Sequence, residues 1–156
     1  MSFTNDNKTD NYETSLEGWR EIKEFIPTDK RIYSPFYCSG KQKEYFASLG
    51  FDIIHEDVDY FTNTFDYDIL IDNPPFGKMK EITTKLKEDD KPFILILPLR
   101  YIGIKYFFKE FKDHLQVKIP LKRTNFFGNG KDKYTPPGGT AFYFYKCNLE
   151  KDLEYI

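Results

Sequence analysis

Apolar and polar positions follow two rhythms along this chain. From Leu16, apolar side chains return at Trp19, Ile22 and Phe25. That is the spacing of one helix face, with Ser15 as an N-cap and Pro27 as a stop. Shorter apolar runs then predict strands at Arg31–Tyr37 (halted near Gly40), Phe51–Ile54 and Tyr67–Ile71. Pro92–Leu97 is almost continuously apolar, which suits a strand covered on both faces. Helical stretches separate these runs: Lys41–Leu49 closed by Gly50, a Lys-rich segment at 79–88, and 101–112 with Ile102, Tyr106 and Phe107 periodic. Leu115–Ile119 and Thr140–Tyr145 read as late strands on either side of a loop at 121–139 rich in Gly, Lys and Pro.

Strands alternating with helices predict an α/β chain, built on a mostly parallel twisted sheet with helices on both faces and ligands at its carboxyl edge. The two late strands have no helix between them and so should pair antiparallel. No internal repeat is present. The expected organisation is a frayed polar segment at 1–11, one domain over 12–147 and a tail at 148–156.

Composition narrows the function classes. A chain of 156 residues suits one domain with a real core. No apolar run approaches the roughly 20 residues a membrane span requires, and the first residues lack the apolar core of a signal peptide. Cys38 and Cys147 fit neither a disulfide framework nor a zinc site. The expectation is reduced thiols, a cytoplasmic location and no metal. The net charge of −2 gives no general attraction to polyanions, so local clusters matter more. One holds Lys78, Lys80, Lys85 and Lys87; another holds Lys118, Lys122, Arg123, Lys131 and Lys133. Both are expected to flank the edge described next and to attract nucleic acid.

The strand at Tyr67–Ile71 runs into Asp72 and then Asn73-Pro74-Pro75-Phe76. Two prolines remove two backbone donors, so the strand must end there. Asn73 then offers an amide oxygen beyond the sheet edge, the Pro74 carbonyl a second acceptor, and Phe76 a flat apolar face. Two acceptors beside an aromatic plate suit a planar ring that carries an amino group. The motif resembles that of the amino-group methyltransferases, which methylate exocyclic amines of adenine or cytosine with S-adenosylmethionine. The chain is most similar to the compact N6-adenine DNA methyltransferases of phages and large DNA viruses, which implies the Rossmann-like class I fold and a viral origin inside a host cell.

The resemblance also implies site residues. Pro35, Phe36 and Gly40 match the family's first glycine turn, where Ser34 replaces an acid and Cys38 a glycine. Tyr12 and Thr14 fall in a segment, with Asn11, that resembles the loop closing over the cofactor. Glu56 or Asp57 would accept from the ribose hydroxyls. Asp59 would accept from the cofactor's adenine amine, and Tyr60 would pack on its ring. The short span from Glu56 to Asn73 leaves out the third strand of larger relatives. Asn73, Pro74, Pro75 and Phe76 would do the chemistry, with Asn73 also touching cofactor. On the acceptor side, Phe76 would stack on one face of a flipped base and Phe126 or Phe127 on the other, while Lys78 and Arg123 meet phosphates. Specificity would come from the 121–139 loop, from a separate chain, or be low. Cytosine-N4 and protein-glutamine methylation use the same carbonyl logic. A silent binding subunit with the same fold is a further alternative.

Overall fold

The computed structural model describes residues 12–128 and 131–156, and for 131–134 the backbone alone. The segment 1–11, including Asn11, and the side chains of Lys131 and Lys133 lie outside the described residues.

The chain order is β1 (Glu13–Thr14), α1 (Leu16–Arg20), β2 (Ile32–Tyr33), α2 (Gln42–Ser48), β3 (Ile53–Ile54), β4 (Ile69–Asp72), α3 (Met79–Asp89), β5 (Phe93–Pro98), α4 (Lys105–Phe111), β6 (Leu115–Ile119), β7 (Phe126–Gly128), β8 (Lys131–Tyr134), β9 (Thr140–Tyr145) and β10 (Leu153–Tyr155). Short 3-10 turns occupy Lys23–Phe25, Phe76–Lys78 and Leu99–Gly103. Seven strands form the main sheet in the order β10-β6-β9-β5-β4-β2-β3, and β1-β7-β8 form a small second sheet. The main sheet is parallel except for β9, which runs antiparallel to both β5 and β6. Among the described residues no strand lies between β3 and β4. This is a Rossmann-like, mostly parallel α/β sheet, and the late strands β6 and β9 pair antiparallel as their sequence predicts.

The sheet is doubly covered because its central strands are apolar on both faces. Phe93, Leu95 and Leu97 of β5, with Tyr143 and Tyr145 of β9, pack under α3 and α4. The alternate residues Ile94, Ile96, Phe142 and Phe144 pack against Trp19, Ile22 and Phe46 of the α1 and α2 side. The two-residue period of a strand makes this division.

Several boundaries differ from the sequence reading. The strand expected over Arg31–Tyr37 shrinks to Ile32–Tyr33. Ser34 N still donates to Ile54 O (2.9 Å), and Pro35 then has no N–H to continue. The helix expected over 101–112 starts as the 3-10 turn and becomes α4 only beyond Gly103. The 121–139 stretch contains β7 and β8, and β7 pairs antiparallel with β1. Residues 148–156, read as a tail, include β10, which extends the sheet parallel to β6. Buried Lys118 and Gln116 hold it there: Lys118 Nζ donates to Lys151 O (3.1 Å) and Glu154 (2.7 Å), and Gln116 Nε2 donates to Leu149 O (2.8 Å) and Asp152 (3.0 Å).

Candidate functional site

The chain passes from β2 to β3 on one side and then crosses to β4 on the other, so the strand order reverses between β2 and β4. Ligands of open α/β sheets bind at such a switch point, outside the carboxyl ends of the strands. Here the two loops leaving that point are Ser34–Gly40 and Asn73–Phe76. They enclose a cleft with Tyr12, Glu13, Thr14 and Tyr45 on its walls.

Asp72 is the hub. It is 1% exposed and accepts from Phe36 N (2.6 Å), Asn73 N (2.7 Å) and Gln42 Nε2 (3.0 Å), tying the first turn to the motif strand. Burial pushes its carboxyl up, to about 6, against the pull of nearby His55 and of those three donors. Ser34 stands just past the end of β2, and its hydroxyl accepts from Gln42. The buried carboxylate of this site therefore comes from β4.

The first turn needs unusual backbone. Cys38 has φ +50° and Gly40 φ +83°. A Cβ at Gly40 would lie 2.6 Å from the Tyr37 hydroxyl, so glycine is required there twice over. At Cys38, which is not a glycine, the left-handed backbone costs about 1–2 kcal/mol. The turn is latched from outside, since Glu13 on β1 accepts from Ser39 N (2.7 Å) and from the Ser39 hydroxyl.

Asn73 is held in one orientation. Its Nδ2 donates to the Tyr12 carbonyl (3.1 Å), which fixes which end of the amide is which. Its Oδ1 is buried and has no partner among the described residues. Such an atom costs on the order of 1–3 kcal/mol unless something donates to it. Pro75 lines the cleft beside it, and Pro74 is buried. Phe76 is half-buried and leans on Tyr101, ring centroids 6.5 Å apart. Lys78 is exposed at the end of the same turn.

The acids expected to hold the cofactor are not brought together with Asn73. Glu56 and Asp57 point to solvent and Asp59 accepts from Phe61 N (2.8 Å), closing a local turn. None of the three lines the cleft. Tyr60 is 0% exposed and packs edge-on against Phe36 at 5.3 Å, as part of the core. The buried polar side chain at the end of β3 is His55. Its Nδ1 bonds the Ser34 carbonyl (2.8 Å), its ring stacks on Tyr37 (5.0 Å), and its Nε2 is buried without a partner among the described residues. Tyr12, Thr14, Phe36 and Asn73 do line the cleft, with buried Pro35 and half-buried Gly40 of the first turn adjoining them. Glu13, Tyr37, Gln42, Tyr45, Asp72 and His55 were missed. Only Asp72 carried a signal: a carboxylate at the inner end of an apolar strand must find buried donors.

Two expected acceptor contacts are displaced. Phe126 is 2% exposed and belongs to the α1–α2 core, because β7 turns it inward opposite Thr14. Phe127 packs edge-on against Tyr45 (6.2 Å) under Lys41 (5.5 Å) and does not face Phe76. Arg123 is exposed in a separate groove with Glu17 and Glu21. Lys118 is buried and paired, so it cannot meet a phosphate.

The lining suits a positively charged ligand. Two carboxylates, Glu13 and Asp72, face a cleft that would hold a cation, and the free acceptor of Asn73 adjoins them. The free volume inside is about 30 Å³, room for about one water. A cofactor-sized ligand therefore requires Tyr12, Tyr37 or the β1 strap to move. Among the described residues no group of three His, Cys, Asp or Glu could hold a metal, and no helix is long and apolar enough to cross a membrane.

No family model and no curated protein matches the chain. A solved structure, a precorrin-6y C5,15-methyltransferase from Geobacter metallireducens GS-15, is similar with a TM-score of 0.48 and 10% identity, over 88% of this chain and 93% of that one.

Proposed function

We propose that this chain transfers a methyl group from S-adenosylmethionine to the exocyclic N6 amine of adenine in DNA. The observation that carries the reading is the Asn73 amide: its nitrogen is committed to Tyr12, and its oxygen is a buried acceptor without a partner at the switch-point cleft. An aryl amine is a weak nucleophile because its lone pair is spread into the ring. An acceptor in line with an N–H favours a tetrahedral nitrogen and localises that pair. Asn73 Oδ1 fills this role, with the Pro74 carbonyl as the second acceptor.

Bound cofactor would supply a methyl group on a positively charged sulfur. Glu13 and Asp72, which line the cleft, would favour that charge, and the Phe36–Gly40 turn would help to hold the cofactor. Phe76 stacks on the base. No side chain acts as a strong base, because the methylated nitrogen sheds its proton to water. The remaining work is alignment of nitrogen, carbon and sulfur. A base inside a duplex must first be flipped out.

Label transfer from methyl-labelled cofactor to DNA, RNA and protein, followed by nucleoside analysis, tests the reading. Label in N6-methyladenine from DNA is expected. Label in N4-methylcytosine or in protein would move the reading to another amine. No transfer to any of the three would remove it.

A further inference from the structure

We infer that a surface beside the Asn73 edge docks the phosphodiester backbone of a single-stranded nucleic acid. Its place in catalysis rests on the methyl-transfer reading; its binding chemistry rests on the following observations. The turn Phe76–Lys78, the start of α3, the turn Leu99–Gly103 and the start of α4 adjoin one another, with Phe76 on Tyr101 and α3 packed on α4. Four exposed cations gather there from separate parts of the sequence: Lys78, Lys80, Arg100 and Lys105. None has an ion-pair partner among the described residues. Other cations of the same helices do: Lys85 pairs with Asp89 (3.4 Å), while Lys87 (2.6 Å) and Lys109 (3.6 Å) share Glu110.

Acids are scarce on this face. No Asp or Glu occurs between Lys91 and Lys109, and the first turn of α3 adds only Glu81. Four like charges held together are relieved by a ligand that carries a charge at every repeat. The rings mixed among them say what else that ligand carries. Lys80 Nζ lies 5.7 Å from the Tyr106 ring centroid, and the Arg100 guanidinium lies 5.7 Å from that of Tyr101. Tyr101 is 3% exposed and backs the patch, so the apolar surface open to a ligand is Ile102, 50% exposed, with the partly exposed Phe76 and Tyr106. Cations interleaved with flat apolar side chains take phosphates and bases together, and bases reach such a face when they are unpaired. The second basic cluster is a poorer platform, because Lys118 is buried and Lys122 faces Glu17 at 4.0 Å.

The test is fluorescence anisotropy without cofactor, using a labelled mixed-sequence single strand and a hairpin duplex over a range of salt. The wild-type chain should bind the single strand more tightly. Replacing Lys78, Lys80, Arg100 and Lys105 with Gln should lower that affinity at least tenfold at low salt. The log–log salt slope should flatten by up to about 0.7 per lost contact. Replacing Arg20, Lys23, Lys30 and Lys112 with Gln removes the same charge and should change little. Equal losses from both sets, or tighter binding of the hairpin, would overturn the proposal. Photo-cross-linking of the unaltered protein to an iodouracil strand needs no variant. Adducts should fall in residues 76–80 and 99–106, and adducts confined to other segments would refute it. Docking read this way is separable from catalysis: binding can hold where methyl transfer fails, and transfer can survive where the quadruple variant binds normally.

Discussion

On the proposed methyl transfer, Asn73 is the residue on which chemistry would turn. Its amide oxygen contact would strengthen as the acceptor nitrogen becomes tetrahedral, so its loss should appear in the transition state. Asn73→Ala should lower turnover by about 10²–10³, by analogy with single oxyanion-hole donors, and leave cofactor affinity within a few fold. Asn73→Asp keeps an acceptor and should retain more activity than Ala. Phe76→Ala should raise the Michaelis constant as well, since stacking acts on the bound base. Steady-state kinetics beside calorimetry separates these outcomes. Asp72 gives a second prediction. Its carboxyl is held above the ordinary value of 3.8, at about 6, so the folded state binds the proton more tightly than the unfolded state. That contribution is fully present below pH 3.8 and is lost as pH rises through about 6. One unit is 1.36 kcal/mol, so on the order of 3 kcal/mol is at stake. The melting temperature should fall between about pH 4 and 6.5, and in Asp72→Asn the fall should be much shallower.

At the scale of elements, α1 is seated by a close approach. A Cβ on Gly18 would meet Thr124 Cγ2 at 2.8 Å and Thr14 Cγ2 at 2.9 Å. Gly18→Ala should cost about 1–3 kcal/mol by overpacking, read in denaturant unfolding. Adding Thr124→Ser, which deletes one of the two methyls, should recover part of it. The same neighbourhood shows what sequence could convey. The long apolar strands β4, β5 and β9 and the helices α2 and α3 were legible because each carries its own period. β1, β7 and β10 were not: each is two or three residues long and gains its identity from distant partners, whereas the equally short β2 and β3 lie within the longer runs Arg31–Tyr37 and Phe51–Ile54. The site divides likewise. The Asn73 motif and the first turn are local and readable. Glu56, Asp57 and Asp59 sit near the expected position in sequence, yet the backbone after β3 carries them to solvent and buries His55.

On the scale of the molecule, one sheet carries aromatic cores on both faces, and its far edge is finished by β10. Ending the chain after Cys147 would leave Lys118, 1% exposed, without Lys151 O and Glu154, and Gln116 without Leu149 and Asp152. Removing the partner of a buried charge costs about 3–5 kcal/mol. The truncated protein should melt at least roughly 6–12 °C lower, measured calorimetrically. An unchanged melting temperature would mean that β10 contributes nothing to the sheet.

The bond from Asn73 Nδ2 to the Tyr12 carbonyl has a kinetic consequence. Tyr12 adjoins the strap that must yield before a large ligand fits the cleft, so with the strap open the Asn73 amide is free to rotate and present nitrogen where oxygen is required. Only after the strap returns is the acceptor atom re-established. Nucleic acid docked on the donor-free chain should therefore be unproductive, and productive addition should be ordered, methyl donor first. Initial-velocity patterns should intersect. Excess nucleic acid should inhibit, and raising the methyl donor should relieve that inhibition. Its absence would mean that the Asn73 amide keeps its orientation without Tyr12.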